Sequence, residues 1–479
     1  MSAQAFHITW YLVLASLEVA GVLLAIRAVL KTRTAQGAIA WTLALLTIPA
    51  VAIPLYLVFG RNRFRGYLEA VRSQSVEHLA EVQASVERIR AFCRPMPGRW
   101  EEALRVLNRL ARTPCTSGNR VELLVDGEAT FAALFAAIAR AQHYVLVQFY
   151  ILRDDGIGRA FQAALLERAR AGVRVYVLYD EIGSLSLSNR YLQEMRAAGV
   201  QTSAFQTTRG RQNRFQLNFR NHRKVVVVDG RQAFTGGLNV GDEYLGRDRR
   251  FGHWRDTHLA LEGPAVQAIQ LAWMTDWYWA TRELPELQWE PVPSARADVP
   301  AFVLATGPAD ADSRLQLFFM HCLSVAKKRA WFANPYFVPD GAVFETMRLA
   351  ALRGVDVRLL LPAKNDSKII ELAALSFLEA AERAGIRTLL YRDGFLHEKV
   401  MLVDDALASV GSANLDNRSM RLNFELTTLI VDVAFAAQVE AMLEQDFARA
   451  RPVSAAQVQS RGWPYRFAVR AARLLSPIL

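Results

Sequence analysis

Two constellations in this chain of 479 residues carry side chains suited to a phosphate ester. The first reads His222-x-Lys224, then Asp229, Gly236-Gly237 and Asn239; the second reads His397-x-Lys399, then Asp404, Gly411-Ser412 and Asn414. Each member of the second follows its counterpart at a constant offset of 175, from 222 to 397 and from 239 to 414 alike. With eight histidines and only seven lysines, one H-x-K triplet is expected about 0.1 times by chance, before Asp, Gly and Asn are demanded. A pair of imidazoles, a pair of ammoniums and a pair of amides fit in-line displacement at phosphorus. One imidazole attacks, the other protonates the leaving oxygen, and the ammoniums and amides hold the non-bridging oxygens. Such chemistry calls for no metal ion and no other cofactor. The remaining reading is a structural repeat with satisfied histidines.

The elements around the motifs explain their spacing. Val225 to Val228 and Val400 to Val403 are β-type runs, so His and Lys at i and i+2 are expected on one face. Gly236-Gly237 and Gly411-Ser412 allow the close turn that brings Asn239 and Asn414 toward that face. Asp229 and Asp404 lie an odd number of residues further on, which points them away, toward the turn. A histidine in this role needs a carboxylate on its second nitrogen. Asp256 and Glu425, at the openings of the matched apolar runs Thr257-His258-Leu259 and Leu426-Thr427-Thr428, are the candidates; a structural ion pair is the competing role for each.

Short apolar runs alternate with helical stretches in both halves: Tyr144 to Val147, a helix near 161–171, then Val173 to Tyr179; and Trp331 to Ala333, a helix near 343–353, then Val355 to Leu361. This order predicts an α/β layer architecture built from two copies of one lobe. The expected organisation is a helical connector at 67–118, a first lobe at 119–290, a Pro-rich linker at 291–301, a second lobe at 302–450 and an amphipathic tail at 451–479. Residues 1–66 carry two apolar runs, Ile8 to Ile26, broken by Glu18, and Thr34 to Gly60, which has no charge at all. Each approaches or exceeds the ~20 residues of a spanning helix, which predicts a transmembrane hairpin. Glu18 is expected to face the second helix or to lie shallow. A cleaved signal peptide fits less well, because no Lys or Arg precedes the first run.

The motifs resemble the phospholipase D superfamily, whose HxKx4D signature and following Gly-Ser/Gly-x-Asn element occur twice in one polypeptide; Gly237 stands where Ser is usual. Gly241-Asp242-Glu243-Tyr244, the run Trp254 to His258, Asn334-Pro335-Tyr336-Phe337-Val338-Pro339 and the run Asn414 to Ser419, with the N-terminal hairpin, resemble the bacterial cardiolipin synthase family. The resemblance covers almost the whole chain. It implies two phospholipase D-type lobes, each a β-sheet flanked by helices, related by a pseudo-two-fold. It implies transfer of a phosphatidyl group from one phosphatidylglycerol to another, giving cardiolipin and glycerol. His222 would be the covalent nucleophile and His397 the acid and then the base. Lys224, Lys399, Asn239 and Asn414 would bind phosphate beside Gly237 and Ser412, and the signature counts Asp229 and Asp404 among the catalytic residues. Hydrolysis of the same intermediate would make the chain a phospholipase D or phosphodiesterase, and the motif does not choose between water and a glycerol hydroxyl. An inactive membrane scaffold is disfavoured by two intact motifs.

Composition sets the outer bounds. Hydrophobic residues make up 52% and charged residues 22%, which excludes a disordered chain, and the net charge of +11 asks for an anionic partner. Cys93, Cys115 and Cys322 are too few and too far apart for a disulfide framework or a CxxC zinc site. Arg209, Arg211, Arg214, Arg220 and Arg223 interleave with Phe205, Phe215 and Phe219 before the first motif, and Arg247, Arg249 and Arg250 with Phe251 and Trp254 after it. Such segments suit an anionic membrane or a nucleic acid, and the apolar spans favour the membrane. The expected partner is thus an anionic phospholipid and not nucleic acid. The expected location is the cell inner membrane, multi-pass, with cytoplasmic lobes. Trp273, Trp277, Tyr278 and Trp279 are either an interfacial patch or core, and the tail from Trp463 either lies on the membrane or packs on the body.

Overall fold

A computed structural model describes residues 3–32, 34–60, 64–72, 76–94, 99–208 and 218–479. Arg33, Arg61, Arg63, Arg209, Arg211, Arg214 and Phe215 lie outside the described residues. The chain forms two compact units, one of Met1–Glu69 with Thr207–Phe219, the other of Ala70–Gln206 with Arg220–Leu479.

The first unit is helical. Helix α1 (Ala3–Lys31) has 29 residues, about 43 Å at 1.5 Å per residue, and is the one helix among the described residues long and apolar enough to cross a membrane. The uncharged run that follows is not one helix. It divides into α2 (Ala35–Thr47) and α3 (Pro49–Phe59), because the proline ring drives the preceding Ile48 out of the helical region, to φ −135° and ψ 55°. Small residues let the helices approach: a Cβ on Gly21 would meet the Leu45 carbonyl oxygen at 2.5 Å, and Ala25 and Ala28 are buried in one cluster with Leu45, Ala52 and Tyr56. Glu18 is exposed and does not face the second helix. Phe64 stacks on Phe219 at 5.3 Å, so the segment before the first motif belongs to this unit.

In the second unit, sixteen strands join one sheet among the described residues. Its first half runs from Gln201–Phe205 through Arg174–Asp180, Tyr144–Phe149, Val225–Val228, Gln232–Gly236 and Thr257–Glu262 to Thr116–Val125. Its second half starts at Val299–Thr306 and repeats the order outward through Asn423–Val431, Leu407–Gly411, Val400–Val403, Arg329–Ala333, Asp356–Pro362 and Arg387–Tyr391, with Ala450–Pro452 added at the edge. The halves meet antiparallel, with Thr116 opposite Ala301. In each half the three outer lobe strands are parallel, the short strand Arg220–Asn221 pairs parallel with Asn423–Val431, and the other pairings of this sheet are antiparallel. This repetition generates the pseudo-two-fold.

Both lobe cores are apolar side chains packed between sheet and helices, and the motif strands are buried along their whole length. Helix Ala265–Thr281 buries Trp273, Trp277 and Trp279, so the aromatic cluster is core. Helix Arg99–Leu110 packs Leu104 and Leu107 into the second-lobe core, and strand Val299–Thr306 begins inside the stretch expected to be linker.

Candidate active site

The motif residues enter their strands from the functional end. Val225 pairs antiparallel with Gln148 and Val228 with Val145, so His222 lies beyond the carboxyl end of Tyr144–Phe149, while Asp229 lies at its amino end. The regular strands begin only at Val225 and Val400, and the His-x-Lys triplets are the extended segments leading into them. Both histidines open into one cavity of about 860 Å³ at the carboxyl ends of the parallel strands, the end of such sheets at which ligands gather.

Each imidazole is held from the opposite lobe. His222 Nδ1 lies 3.0 and 3.1 Å from the two Glu425 carboxylate oxygens. His397 Nδ1 lies 2.7 Å from Asp256 Oδ2. Both carboxylates are fully buried. Glu425 also accepts from Ser412 Oγ at 2.5 Å, Ser419 Oγ at 2.8 Å and Asn423 Nδ2 at 3.2 Å. Burial pushes the Glu425 carboxyl up, and His222, Lys224 and Ser412 together outweigh it, leaving the group below its ordinary value. For Asp256 burial is likewise outweighed, by Lys399 and His397. Ionised carboxylates accept, so each imidazole donates from Nδ1 and leaves the Nε2 lone pair to act. Burial, against the pull of Glu425, lowers His222 to about 4. Burial and the neighbouring Lys399 lower His397 to about 3. Both rings are therefore neutral at pH 7 in the substrate-free site. Tyr150 packs edge-on to His222 at 5.1 Å, and Trp254 packs against His397 at 5.0 Å.

The lysines are buried beside the motif backbone, and neither lines the cavity. Lys224 Nζ donates to the His222 carbonyl at 2.7 Å, and Lys399 Nζ donates to the His397 carbonyl and sits 2.9 Å from His397 Nδ1. Burial lowers Lys224 well below the usual lysine range and Lys399 to about 8. Asn239 and Asn414 both line the cavity. Asn239 is engaged, accepting from Ile151 N and donating to Tyr244 Oη, whereas Asn414 Oδ1 is buried with no hydrogen-bond partner.

Asp229 and Asp404, which the signature counts as catalytic, lie at the turn to which their odd spacing pointed and do not reach the imidazoles. Asp229 accepts from the backbone amides of Gln142, His143 and Tyr144 at 2.7–2.8 Å, and Asp404 from those of Lys327, Lys328 and Arg329 at 2.7–3.1 Å. Both adopt positive φ, 52° and 53°, at the turn after the motif strand. Gly237 and Ser412 are not on the cavity wall either. Ser412 is spent on Glu425, and a Cβ at Gly237 would lie 2.0 Å from Asp256 Oδ1, so the first lobe has glycine there because the carboxylate fills the space.

His258 and His253, near the motif in sequence, are structural. His258 is buried and accepts from Leu238 N at 3.4 Å, while His253 bridges Asp126 at 2.9 Å. Sequence reasoning gave no role to Tyr150, Tyr336 or Arg418, all on the cavity wall. For the tyrosines a signal existed: Phe149-Tyr150-Ile151 and Pro335-Tyr336-Phe337 follow equivalent strands. Of the basic and aromatic residues flanking the first motif, Arg220, Arg250, Phe251 and Trp254 line the cavity, but Arg223 is buried on Asp276 at 2.8 Å.

The chain is similar to known proteins along its length. A family model described as "Cardiolipin synthase, PLD-like domain" matches residues 134–251 and 319–447. A protein named cardiolipin synthase A from Pseudomonas fluorescens is 48% identical over 477 residues, 99% of each chain. Its namesake from Pseudomonas aeruginosa is 49% identical over 473 residues, covering 98% of this chain and 96% of that one. The crystal structure of a phosphatidylserine synthase from Haemophilus influenzae superposes with a TM-score of 0.61 over 80% of this chain and 100% of that chain, at 16% identity, which shows a shared fold.

Proposed function

The chain belongs to the cardiolipin synthase family of the phospholipase D superfamily, phosphatidyltransferases that make cardiolipin from phospholipid at a membrane, and from that premise we propose that it joins two phosphatidylglycerol molecules, releasing glycerol, through a phosphohistidine on His222. His222 Nε2 forms a bond to phosphorus as the bond from phosphorus to the headgroup glycerol oxygen breaks. His397, protonated in the complex, gives that oxygen its proton. The terminal hydroxyl of a second phosphatidylglycerol then loses its proton to His397 and attacks phosphorus, and the phosphorus–nitrogen bond breaks. Lys224 and Lys399 offset the phosphoryl charge from beside the motif backbone. Asn239, Asn414 and the cavity arginines Arg220 and Arg418 surround its oxygens. Glu425 and Asp256 fix the ring tautomers and stabilise the imidazolium states.

The observation that carries this reading is the pair of crossed imidazole–carboxylate contacts at one cavity. Two imidazoles with free Nε2 atoms on a shared site meet the need for a nucleophile and an acid on opposite sides of phosphorus. We take α1 as one span and the proline-broken α2 and α3 together as a second, with the catalytic unit cytoplasmic; a bend at proline is tolerated inside a bilayer. We take residues 119–290 and 302–450 as the two catalytic lobes.

The test supplies purified protein with phosphatidylglycerol alone. Cardiolipin and glycerol in equal amounts are expected. Phosphatidic acid as the main product would replace transfer with hydrolysis, and activity only with CDP-diacylglycerol would overturn the donor. A rapid-quench digest should carry the phosphatidyl label on the His222 peptide; label on the His397 peptide alone would reverse the two roles.

A further inference from the structure

The C-terminal segment holds a surface that the residues of the candidate site do not use. Helix Trp463–Arg473 buries Val469 and Ala472 against helix Lys368–Leu375. On the opposite side Trp463, Phe467 and Leu474 fall within about 40° of one another at helical spacing, and they are 68%, 60% and 81% exposed. The Trp463 and Phe467 rings stack on each other at 5.4 Å and form one end of an apolar stripe. Arg470 interrupts the stripe and Arg466 and Arg473 flank it; with Arg383 these line a groove of about 340 Å³. After Asp446 the chain has six arginines and no Asp or Glu, so nothing acidic in this stretch neutralises them.

We propose that Trp463–Ile478 docks on an anionic bilayer surface, with the aromatic stripe in the headgroup layer and the arginines on lipid phosphates. A helix with one apolar stripe, a basic flank and a tryptophan at its edge has the composition of an interfacial helix, and the excess of positive charge, four arginines against Glu379 on the groove, selects an anionic surface over a second copy of this basic chain. The segment is tied to the cavity. Asn417 Nδ2 donates to the Ser476 carbonyl at 3.0 Å, and Arg418 donates from its backbone N to the Leu479 carbonyl at 3.0 Å and from Nη1 to the Ile478 carbonyl at 3.3 Å. Arg418 and Ile370, the latter on the helix that carries the tail, both line the cavity. Docking would therefore bring the lipid surface to the wall of the site where the substrate phosphate binds, an extension that rests on the lipid-phosphate reading of the cavity.

The full-length protein in phosphatidylcholine nanodiscs, with and without phosphatidic acid, gives the direct readout. Amide hydrogen exchange across 463–478 should slow at least tenfold only when phosphatidic acid is present. Equal exchange in both discs overturns the proposal. So does protection that depends on protein concentration in detergent, which would mark a contact between copies. A Trp463→Ser/Phe467→Ser variant with an unchanged melting temperature should lose at least fivefold activity in phosphatidylglycerol vesicles but less than twofold in detergent micelles. Wild-type activity in vesicles would overturn the docking role. If wild-type protein made no cardiolipin in either medium, the functional reading would fail while hydrogen exchange still decided the docking.

Discussion

Gly237 stands where the superfamily usually has serine, so restoring the serine is the sharpest test of the site geometry. A Cβ at 237 would lie 2.0 Å from Asp256 Oδ1, 2.7 Å from Cγ and 2.8 Å from Oδ2. No rotamer of the new side chain relieves that clash, because it involves Cβ itself; the carboxylate must move. Asp256 has no exposed surface into which to retreat, and it holds His397 Nδ1 at 2.7 Å. Gly237→Ser should therefore cut kcat by on the order of 10²–10⁴, about 3–5 kcal/mol of barrier, comparable to removing the orienting carboxylate from a catalytic triad. The mirror-image change predicts a much smaller effect. Ser412→Gly removes one of several donors to Glu425, leaving His222, Ser419 and Asn423 in place, and should cost less than tenfold. Initial rates of cardiolipin formation in mixed micelles, with thermal melts on both variants, measure this. A folded Gly237→Ser protein within threefold of wild type would refute the placement of Asp256 against the Gly237 backbone.

Asp256→Asn and Glu425→Gln should each lower turnover at least a hundredfold with little change in KM; if both retained wild-type kcat, neither carboxylate would orient a reacting histidine. Asp404→Ala removes a carboxylate that accepts from three backbone amides, so it should lower the melting temperature by several degrees, about 2–3 kcal/mol, while residual folded enzyme keeps kcat within tenfold. A catalytic collapse at an unchanged melting temperature would return Asp404 to the chemistry. The histidines, at about 4 and 3, are neutral at pH 7 when the site is empty. An anionic phosphodiester bound between them favours the charged form of one ring, so binding at pH 7 should take up protons, approaching one per site. Calorimetry in buffers of different ionisation enthalpy reads that number, and zero uptake would remove His397 as the acid in the bound state.

The duplicated lobe is legible because the repeat is exact in spacing: a constant offset across His, Lys, Asp, Gly and Asn dictates equivalent strands and turns, and the sheet repeats its order accordingly. The crossing of the carboxylates is not legible. Asp256 and Glu425 open matching strands after their own motifs, and nothing in sequence distance says that each faces the other lobe's imidazole. That pairing follows only once Thr116–Val125 meets Val299–Thr306 at the centre of the sheet. The N-terminal run shows the opposite failure. Hydropathy alone reads Thr34 to Gly60 as continuous, but the local steric effect of Pro49 on Ile48 overrides it. Tyr150 and Tyr336 were given no role because their one signal, a place after equivalent strands, shows only once the fold has matched those strands.

On the proposed mechanism, crossing the carboxylates makes the reaction a property of the interface between lobes. A lobe-internal pairing would let one half keep an oriented histidine if the halves separated; here separation removes both orienters at once. The contacts that resist it are buried and charged. Arg255, beside Asp256, grips Asp446 of the second lobe through two bonds of 2.8 Å and lies 2.9 Å from Glu398, the neighbour of His397. Burial, with Asp446, raises the Glu398 carboxyl above its ordinary value against the pull of Arg255, whose Nη1 also lies 3.0 Å from Asp126. On the other side Arg223, the neighbour of His222, donates to the Glu425 backbone carbonyl at 3.1 Å and to Thr306 of the second lobe at 3.0 Å. Each motif histidine is followed in sequence by a residue that reaches the opposite lobe, Arg223 to the Thr306 carbonyl and Glu398 to the Thr257 hydroxyl. Removing one partner of such a buried pair costs about 3–5 kcal/mol, because the other charge is left without compensation. Arg255→Met should accordingly weaken the fold and the His397–Asp256 geometry together. An Arg255→Met/Asp446→Leu double variant, which leaves no charge of that pair stranded, should regain most of the melting temperature. Recovery of stability without recovery of kcat would show that the clamp sets ring position as well as lobe cohesion; recovery of both would reduce it to cohesion alone.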